Sequence, residues 1–417
     1  MTRPEGDVVL VRLAGADDAT APMIGTLRQV RAGSRSAISF AYDPDWLQAQ
    51  DGFEIDPVIG WYPGEQFSAT GGLHGIFQDA APDRWGRSLM ERREASDAIA
   101  EGRAMRRLGE WDYLLGVSDH ARIGALRLQD PDDGRYLDDR PERVPPIARL
   151  RQLEAAAQAL ESLRPGDPRS EARWLKLLLA PGSSLGGARP KASFVDESGA
   201  MWMAKFPSHQ DRHDVGAWEF VLHTLAGRAG ITVPPARLLS LGSEYRTFAA
   251  RRFDRDGDTR RLYTSAMTLT GRHDGEDSSY LDIVEAIADH GDPATIQADM
   301  AELFRRLAFN VMVGDRDDQL RNHGFLRSAS GWRLAPAFDL NPAPDQGQHT
   351  LSIDGATRDP DLAPVRGVAT HFRIAGAEAD RIIGAVGPAV ADWRAEARAL
   401  GIGANEVKRM ESAFLVG

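Results

Sequence analysis

Apolar residues recur along the chain at two spacings. Met300, Leu303, Phe304, Leu307 and Val311 follow the i, i+3, i+4, i+7 rhythm that lines one face of a helix, and predict a well-buried one. Leu150, Leu153 and Leu160 predict an amphipathic helix over 147–163, and Trp218, Val221, Leu222 and Leu225 another over 217–228. Further helices are expected near 172–179, from Tyr280 onward, and over 83–93, where Pro82 suits a first turn. Stretches rich in β-branched and aromatic residues predict strands at 8–13, with a turn at Gly15, and at 36–42, 122–128 and 246–252. Ala192–Val195 and Met201–Phe206 flank Asp196-Glu-Ser-Gly199 as a hairpin does, and Phe325–Leu326 pairs in the same way with Trp332–Leu334.

Composition narrows the picture. At about 150 residues per domain, 417 residues predict two or three compact units, and 42% hydrophobic with 27% charged residues is a globular balance. A formal charge of −11 gives a surface that repels polyanions, so direct nucleic-acid binding is not expected. There is no cysteine, which removes disulfides, thiolate nucleophiles and zinc-thiolate sites and suits a reducing, cytoplasmic setting. No secretory signal and no membrane span are indicated. The Asp-, Arg- and Pro-rich stretch Asp130–Pro146 cannot build a core and reads as a linker. The basic residues are almost all arginine: Lys176, Lys191, Lys205 and Lys408 are the four lysines, which limits any lysine chemistry to four positions.

Three segments carry candidate chemistry. The turn Gly182-Ser-Ser-Leu-Gly-Gly-Ala188 lets backbone N–H groups converge on a phosphate, although it lacks the Gly-Lys-Ser/Thr ending of a Walker A loop. Lys205 follows at the end of a strand, where it presents a compact cation, with Glu219 on the next helix as a possible partner. The third segment follows the buried helix: Gly314-Asp-Arg-Asp-Asp-Gln-Leu-Arg-Asn-His-Gly-Phe325, a hairpin, then Ala337-Phe-Asp339. Asp317, Asn322 five positions later and Asp339 beyond the hairpin repeat the order of a kinase catalytic loop: a proton acceptor, then two hard oxygen ligands for Mg²⁺. Other motifs fit less well. An EF-hand needs glycine where Leu320 stands, and the His209–His213 pair has Gln210 where a zinc protease has its glutamate.

These residues, with Ile38–Leu47, Pro82-Asp-Arg-Trp-Gly-Arg87, Arg122–Arg127, Arg252-Phe-Asp-Arg255 and Ala337–Pro342, resemble the HipA family of bacterial serine/threonine kinases, toxins of toxin–antitoxin modules. The resemblance implies an α+β, two-lobed protein-kinase-like fold with a small α/β N-terminal subdomain and a mostly helical C-terminal lobe. It divides the chain into an N-terminal subdomain (1–130), a linker (131–146), an N-lobe-like part with Gly-rich loop and hinge (147–255) and a helical C-lobe (256–417). It implies ATP and Mg²⁺ as cofactors, phosphate cradling by Ser184, Leu185, Gly186, Gly187 and Ala188, and phosphate pairing by Lys205. Asp317 accepts the proton, Asn322 and Asp339 hold the metal, and the hinge at Arg251, Phe253 and Asp254 meets adenine. Ser184, or its neighbour Ser183, matches the serine at which the family autophosphorylates to switch itself off.

The implied partners are a HipB-like helix-turn-helix antitoxin, which makes most of the operator DNA contact, and a protein acceptor, with an aminoacyl-tRNA synthetase as the leading guess. Two departures stand in the loop: Asp315 and Gln319 replace the Asn and His more often found there. They keep open two alternatives, a weakened kinase-like module that acts by docking an antitoxin and a small-molecule phosphotransferase.

Overall fold

A computed structural model describes residues 7–14, 21–32, 35–138, 144–162, 168–179 and 187–415. In chain order the elements are β1 (Val8–Leu13), β2 (Met23–Ala32), β3 (Arg35–Tyr42), α1 (Pro44–Gln48), β4 (Gln66–Phe67), α2 (Gly75–Asp79), α3 (Arg84–Glu101), α4 (Glu110–Leu115), β5 (Leu126–Gln129), α5 (Leu150–Ser162), α6 (Pro168–Leu178), β6 (Lys191–Val195) and β7 (Met201–Lys205). They continue as α7 (Val215–Arg228), β8 (Ala236–Leu239), β9 (Thr247–Arg251), β10 (Arg255–Asp256), β11 (Thr259–Arg260), β12 (Tyr263–Ser265), α8 (Ala266–Leu269), α9 (Tyr280–His290), α10 (Ile296–Val313), β13 (Gly324–Arg327), β14 (Trp332–Leu334), α11 (Leu362–Gly367), α12 (Gly376–Ala391), α13 (Trp393–Ala399) and α14 (Ala404–Met410). Two compact units result: residues 1–209 with 241–243 and 254–264, and the remainder. Among the described residues no helix is long and apolar enough to cross a membrane.

The first unit is built on an antiparallel sheet in the order β4-β3-β2-β1-β5. Val9 and Val11 of β1 and Ile38, Phe40 and Tyr42 of β3 bury alternate side chains, as a half-solvated sheet requires. The long β2–β3 ladder runs from Gly25↔Tyr42, and Gly25 is needed there because a Cβ would meet the Ala41 carbonyl at 2.4 Å. Helix α3 starts one turn position later than its proline suggests. Asp83 is the N-cap, accepting from the N–H groups of Trp85 (3.1 Å) and Gly86 (3.3 Å), so Pro82 precedes the cap and the helix runs on to Gly102 in the left-handed region. The strand expected at 122–128 pairs only over Leu126–Gln129, because Arg122 is turned inward, donating to the carbonyls of Ala80, Leu114 and Val117.

Buried charge ties the 254–264 excursion to this unit. Asp119 accepts from Arg127 (2.7 Å) and Arg260 (2.6 Å), while Asp254 accepts from the Gly124 N–H (2.8 Å) and Arg255 (2.5 Å). Burial works to raise the Asp119 carboxyl, but Arg260 and Arg127 outweigh it and hold it below the ordinary carboxylate value.

The second unit is mostly helical. Along α10, Met300, Leu303, Phe304, Leu307 and Val311 are all buried, as the sequence rhythm requires, and Phe304 meets Phe372 edge to face at 5.3 Å. Helix α7 is capped by Asp214, whose carboxylate also takes Arg246 at 2.6 Å. Strands β8 and β9 pair antiparallel, and β13 and β14 form the expected hairpin with Phe325 opposite Leu334.

Two outcomes are expected in the first unit. Asp119→Ala leaves two guanidinium groups buried without their carboxylate and should cost about 3–5 kcal/mol in urea unfolding. The second concerns opposed titrations: burial pushes Asp56 up to about 6 from its ordinary 3.8 and pushes His74 down to about 4 from 6.5. Between pH 4 and 6 the folded state holds extra protons on Asp56, which lowers stability as pH rises, and too few on His74, which raises it, so the two slopes offset. His74→Leu should therefore expose the Asp56 slope, a loss of roughly 2 kcal/mol as pH is raised from 4 to 6; a variant as flat as wild type would refute it.

Candidate active site

The Asp317 loop begins where α10 is forced to stop. Gly314 takes the left-handed conformation (φ 68°), and a Cβ there would meet the Ala413 carbonyl at 2.2 Å, so glycine is required both for its backbone and for lack of a side chain. The Asp315 N–H closes back on the Asn310 carbonyl at 3.0 Å, after which the chain leaves the helix. Asp317 follows at the surface, and Leu320–Asn322 form a short 3-10 turn in which the Asn322 N–H bonds the Gln319 carbonyl at 2.8 Å.

Asp318 points the other way, into the unit. One of its carboxylate oxygens, Oδ2, accepts from the Tyr280 hydroxyl of α9, from Asn310 Nδ2 of α10 at 3.1 Å and from His323 Nε2 at 2.9 Å. Burial acts to raise this carboxyl, yet His323, Tyr280 and Asn310 together hold it below the ordinary value, so it remains an anion in the interior. The same burial and the same anion push the Tyr280 hydroxyl well above its usual range.

The hairpin returns the chain alongside the loop. Ala343 N–H donates to the Gly314 carbonyl at 2.9 Å, the Asn341 N–H donates to the Asp315 carboxyl, and Thr350 N–H donates to the Arg316 carbonyl at 2.8 Å. Asp339 is thereby brought beside the loop in a left-handed conformation (φ 61°), with Asn341 Nδ2 at 3.3 Å from its Oδ1. Aspartate tolerates this region better than most side chains, but it persists only where the surroundings fix it, which is typical of functional positions. Partial desolvation and then the charges of Asp339 and Asp318 raise the Asp317 carboxyl, so the two acids expected to work together do share a field. Phe253 of the expected hinge packs on Phe338, next to Asp339, with ring centroids 5.6 Å apart.

Asp315, one of the two departures in the loop, is buried. Desolvation, then Asp318 and Asp339, push its carboxyl well above 3.8, against the opposing Asn341 N–H. Burial and the neighbouring acids thus disfavour the charged form of this side chain. Gln319 sits half-buried at the start of the 3-10 turn.

The remaining expected residues are distributed as follows. Asn322 is half-buried on the 3-10 turn, Glu219 is buried on α7, and Arg251 ends β9 with its N–H committed to the Pro235 carbonyl at 2.8 Å. Lys205 ends β7 in the first unit, half-buried, and Asp254 lies in that unit's buried charge network. Gly187 has a left-handed backbone (φ 92°) and Ala188 is exposed; Ser183, Ser184, Leu185 and Gly186 lie outside the described residues, as does the turn at Gly15. Sequence reasoning did not single out Asp318, Tyr280, Asn310 or Arg316. It named Lys191 among the four lysines but gave it no role; the side chain is 1% exposed and donates from Nζ to Asp83 at 2.8 Å and to the Gly187 carbonyl at 3.1 Å. Its rarity among so many arginines was the available signal.

Among the described residues no group of three or more His, Asp or Glu side chains is arranged to hold a metal ion. A magnesium ion bound to a nucleotide does not need one: it keeps several waters and takes one or two carboxylates with phosphate oxygens. The donor chemistry of Asp339 and Asn322, hard oxygens next to a third acid, fits that demand.

The fold class expected from the sequence, α+β and HipA-like, is the one found. Family models for the HipA-like C-terminal domain and the HipA N-terminal domain match residues 183–394 and 19–111. The chain belongs to the HipA family. The solved structure of the Shewanella oneidensis MR-1 toxin–antitoxin system HipA, HipB and operator DNA complex matches over 96% of this chain and 94% of that chain, with a TM-score of 0.67 and 16% identity. A Helicobacter pylori proinflammatory kinase, CtkA, matches over 55% of this chain and 93% of that chain at a TM-score of 0.38 and 14% identity. No curated protein sequence is significantly similar to this one.

Asp315→Asn tests the buried acid. Its raised value means that stability falls as pH rises above 4, a slope that the amide lacks. The variant should therefore gain on wild type in urea unfolding between pH 5 and pH 8; a constant or shrinking gap would contradict the assignment.

Proposed function

We propose that this protein is an ATP- and Mg²⁺-dependent serine/threonine protein kinase that serves as the toxin of a toxin–antitoxin pair. The observation that carries this is the return of the chain onto the loop, with Ala343 N–H on the Gly314 carbonyl and Asn341 N–H on the Asp315 carboxyl, and the electrostatic field that Asp317 and Asp339 share, with Asn322 on the intervening turn. Asp317, exposed and with a raised carboxyl, accepts the proton of the acceptor hydroxyl. Asn322 and Asp339 hold the metal, which when bound neutralises phosphate charge. Lys205 is the cation assigned to the nucleotide phosphates, and Phe253 and Arg251 to the adenine side. Catalysis comes mainly from positioning and charge stabilisation.

Family membership and the likeness to a toxin solved with its antitoxin and operator DNA support a HipB-like partner. A chain of charge −11 agrees with DNA contact made chiefly by that partner. The acceptor proposed is an aminoacyl-tRNA synthetase, whose modification would arrest growth, and the serine proposed for self-inhibition is Ser184 or Ser183. Gln319, where an imidazole is more usual, favours a second reading: a module of weak activity that acts by docking its antitoxin.

With radiolabelled ATP and Mg²⁺ the wild type should transfer label to protein, and Asp317→Ala should lower that rate by about 10²–10⁴-fold. Nucleotide affinity measured by calorimetry should change little. Undiminished labelling would reject Asp317 as the base, and nucleotide binding without any transfer by the wild type would favour the docking module.

A further inference from the structure

Arg316 stands between the buried Asp315 and the exposed Asp317, and is itself only 5% exposed. An arginine taken out of water normally faces a carboxylate. This one faces four carbonyls: Nη1 donates to Gln346 at 2.6 Å and Ala343 at 3.4 Å, and Nη2 donates to Ser412 at 3.1 Å and Ala413 at 3.4 Å. Among the described residues it makes no ion pair. The guanidinium thus joins three stretches of backbone: the loop, the irregular return after Asp339, and segment 412–415.

The third stretch is fixed independently of Arg316. Leu415 N–H donates to the Met312 carbonyl at 2.9 Å, Ala413 covers Gly314 so closely that no Cβ fits, and Phe414 stacks on Trp393 at 4.1 Å with the rings parallel to within 1°. Trp218 of α7 completes the aromatic group, 6.1 Å from Trp393. Segment 412–415 also lies outside residues 183–394, the part of the chain that the C-terminal family model matches.

We infer that Arg316 is a positioning residue through which segment Ser412–Leu415 holds the Asp317 loop in register with the Asp339 return, making that segment a built-in brace for phosphotransfer. The brace acts on loop geometry, because Arg316 touches neither the proposed base nor the proposed metal ligands directly. The chemistry that it serves is the kinase activity proposed above, so its test has one arm that depends on that activity and one that does not.

The independent arm is hydrogen exchange on the full chain. Phe414→Ala, a change made away from the loop, should raise exchange at amides 314–323 and 412–415 at least tenfold while α9 amides 280–290 keep wild-type rates. Protection of 314–323 that survives while 412–415 exchange freely would overturn the inference, whether or not the protein is a kinase. In the activity arm, Arg316→Ala should lower kcat at least tenfold with KM for ATP within twofold, and Arg316→Lys, which keeps a donor, should recover part of it. Wild-type kcat in Arg316→Ala would also overturn the inference, and a parallel rise in KM would place Arg316 in nucleotide binding instead. If Arg316→Ala does not fold, Arg316→Lys and Phe414→Ala carry the same two measurements.

Discussion

The loop that carries Asp317 depends on a carboxylate held inside the unit. Asp318 is buried, and an uncompensated anion in that position would be strongly unfavourable. Three donors from three parts of the unit, Tyr280, Asn310 and His323, converge on one of its oxygens and make its burial tolerable. Because each donor sits on a different element, the arrangement is satisfied only in one register of loop against helices. Asp317, the residue before it, lies in the turn that leaves α10 and is exposed.

Around that anchor the site concentrates acids. Asp315, Asp317, Asp318 and Asp339 influence one another's protonation, and the structure handles each differently. Asp318 is stabilised as an anion by donors, burial disfavours the charged form of Asp315, and Asp317 and Asp339 remain close to solvent with mutually unfavourable charge. Such a pair is a good receptor for a hard divalent cation and for a proton, because either relieves the repulsion.

The first unit solves a related problem with the opposite balance of charge. Arg122, Arg127, Arg255 and Arg260 are all buried or nearly so, and Asp119, Asp254 and backbone carbonyls satisfy them. These bonds fasten residues 254–264 to a sheet more than a hundred positions earlier in the chain. An arginine-rich composition suits this use, since the planar guanidinium spreads its charge over several acceptors and is less strongly hydrated than an ammonium.

Much of this was legible from the amino-acid order. The i, i+3, i+4, i+7 rhythm of Met300–Val311 located the central helix, and the spacing of Asp317, Asn322 and Asp339 marked the loop, because local periodicity and local motif order survive in a linear string. Strand β2 and the N-cap role of Asp83 were not legible: β2 lacks clean alternation, and a cap is decided by where the preceding chain enters. The sequence by itself determined the family, the class of fold and the residue types available for chemistry. Only the tertiary structure decided that Asp318 is an internal anchor while Asp317 is exposed, that Asp315 is buried, and that Arg316 is held by carbonyls from residues 412 and 413. Those outcomes depend on desolvation and on partners distant in the chain, neither of which a residue carries in its own name.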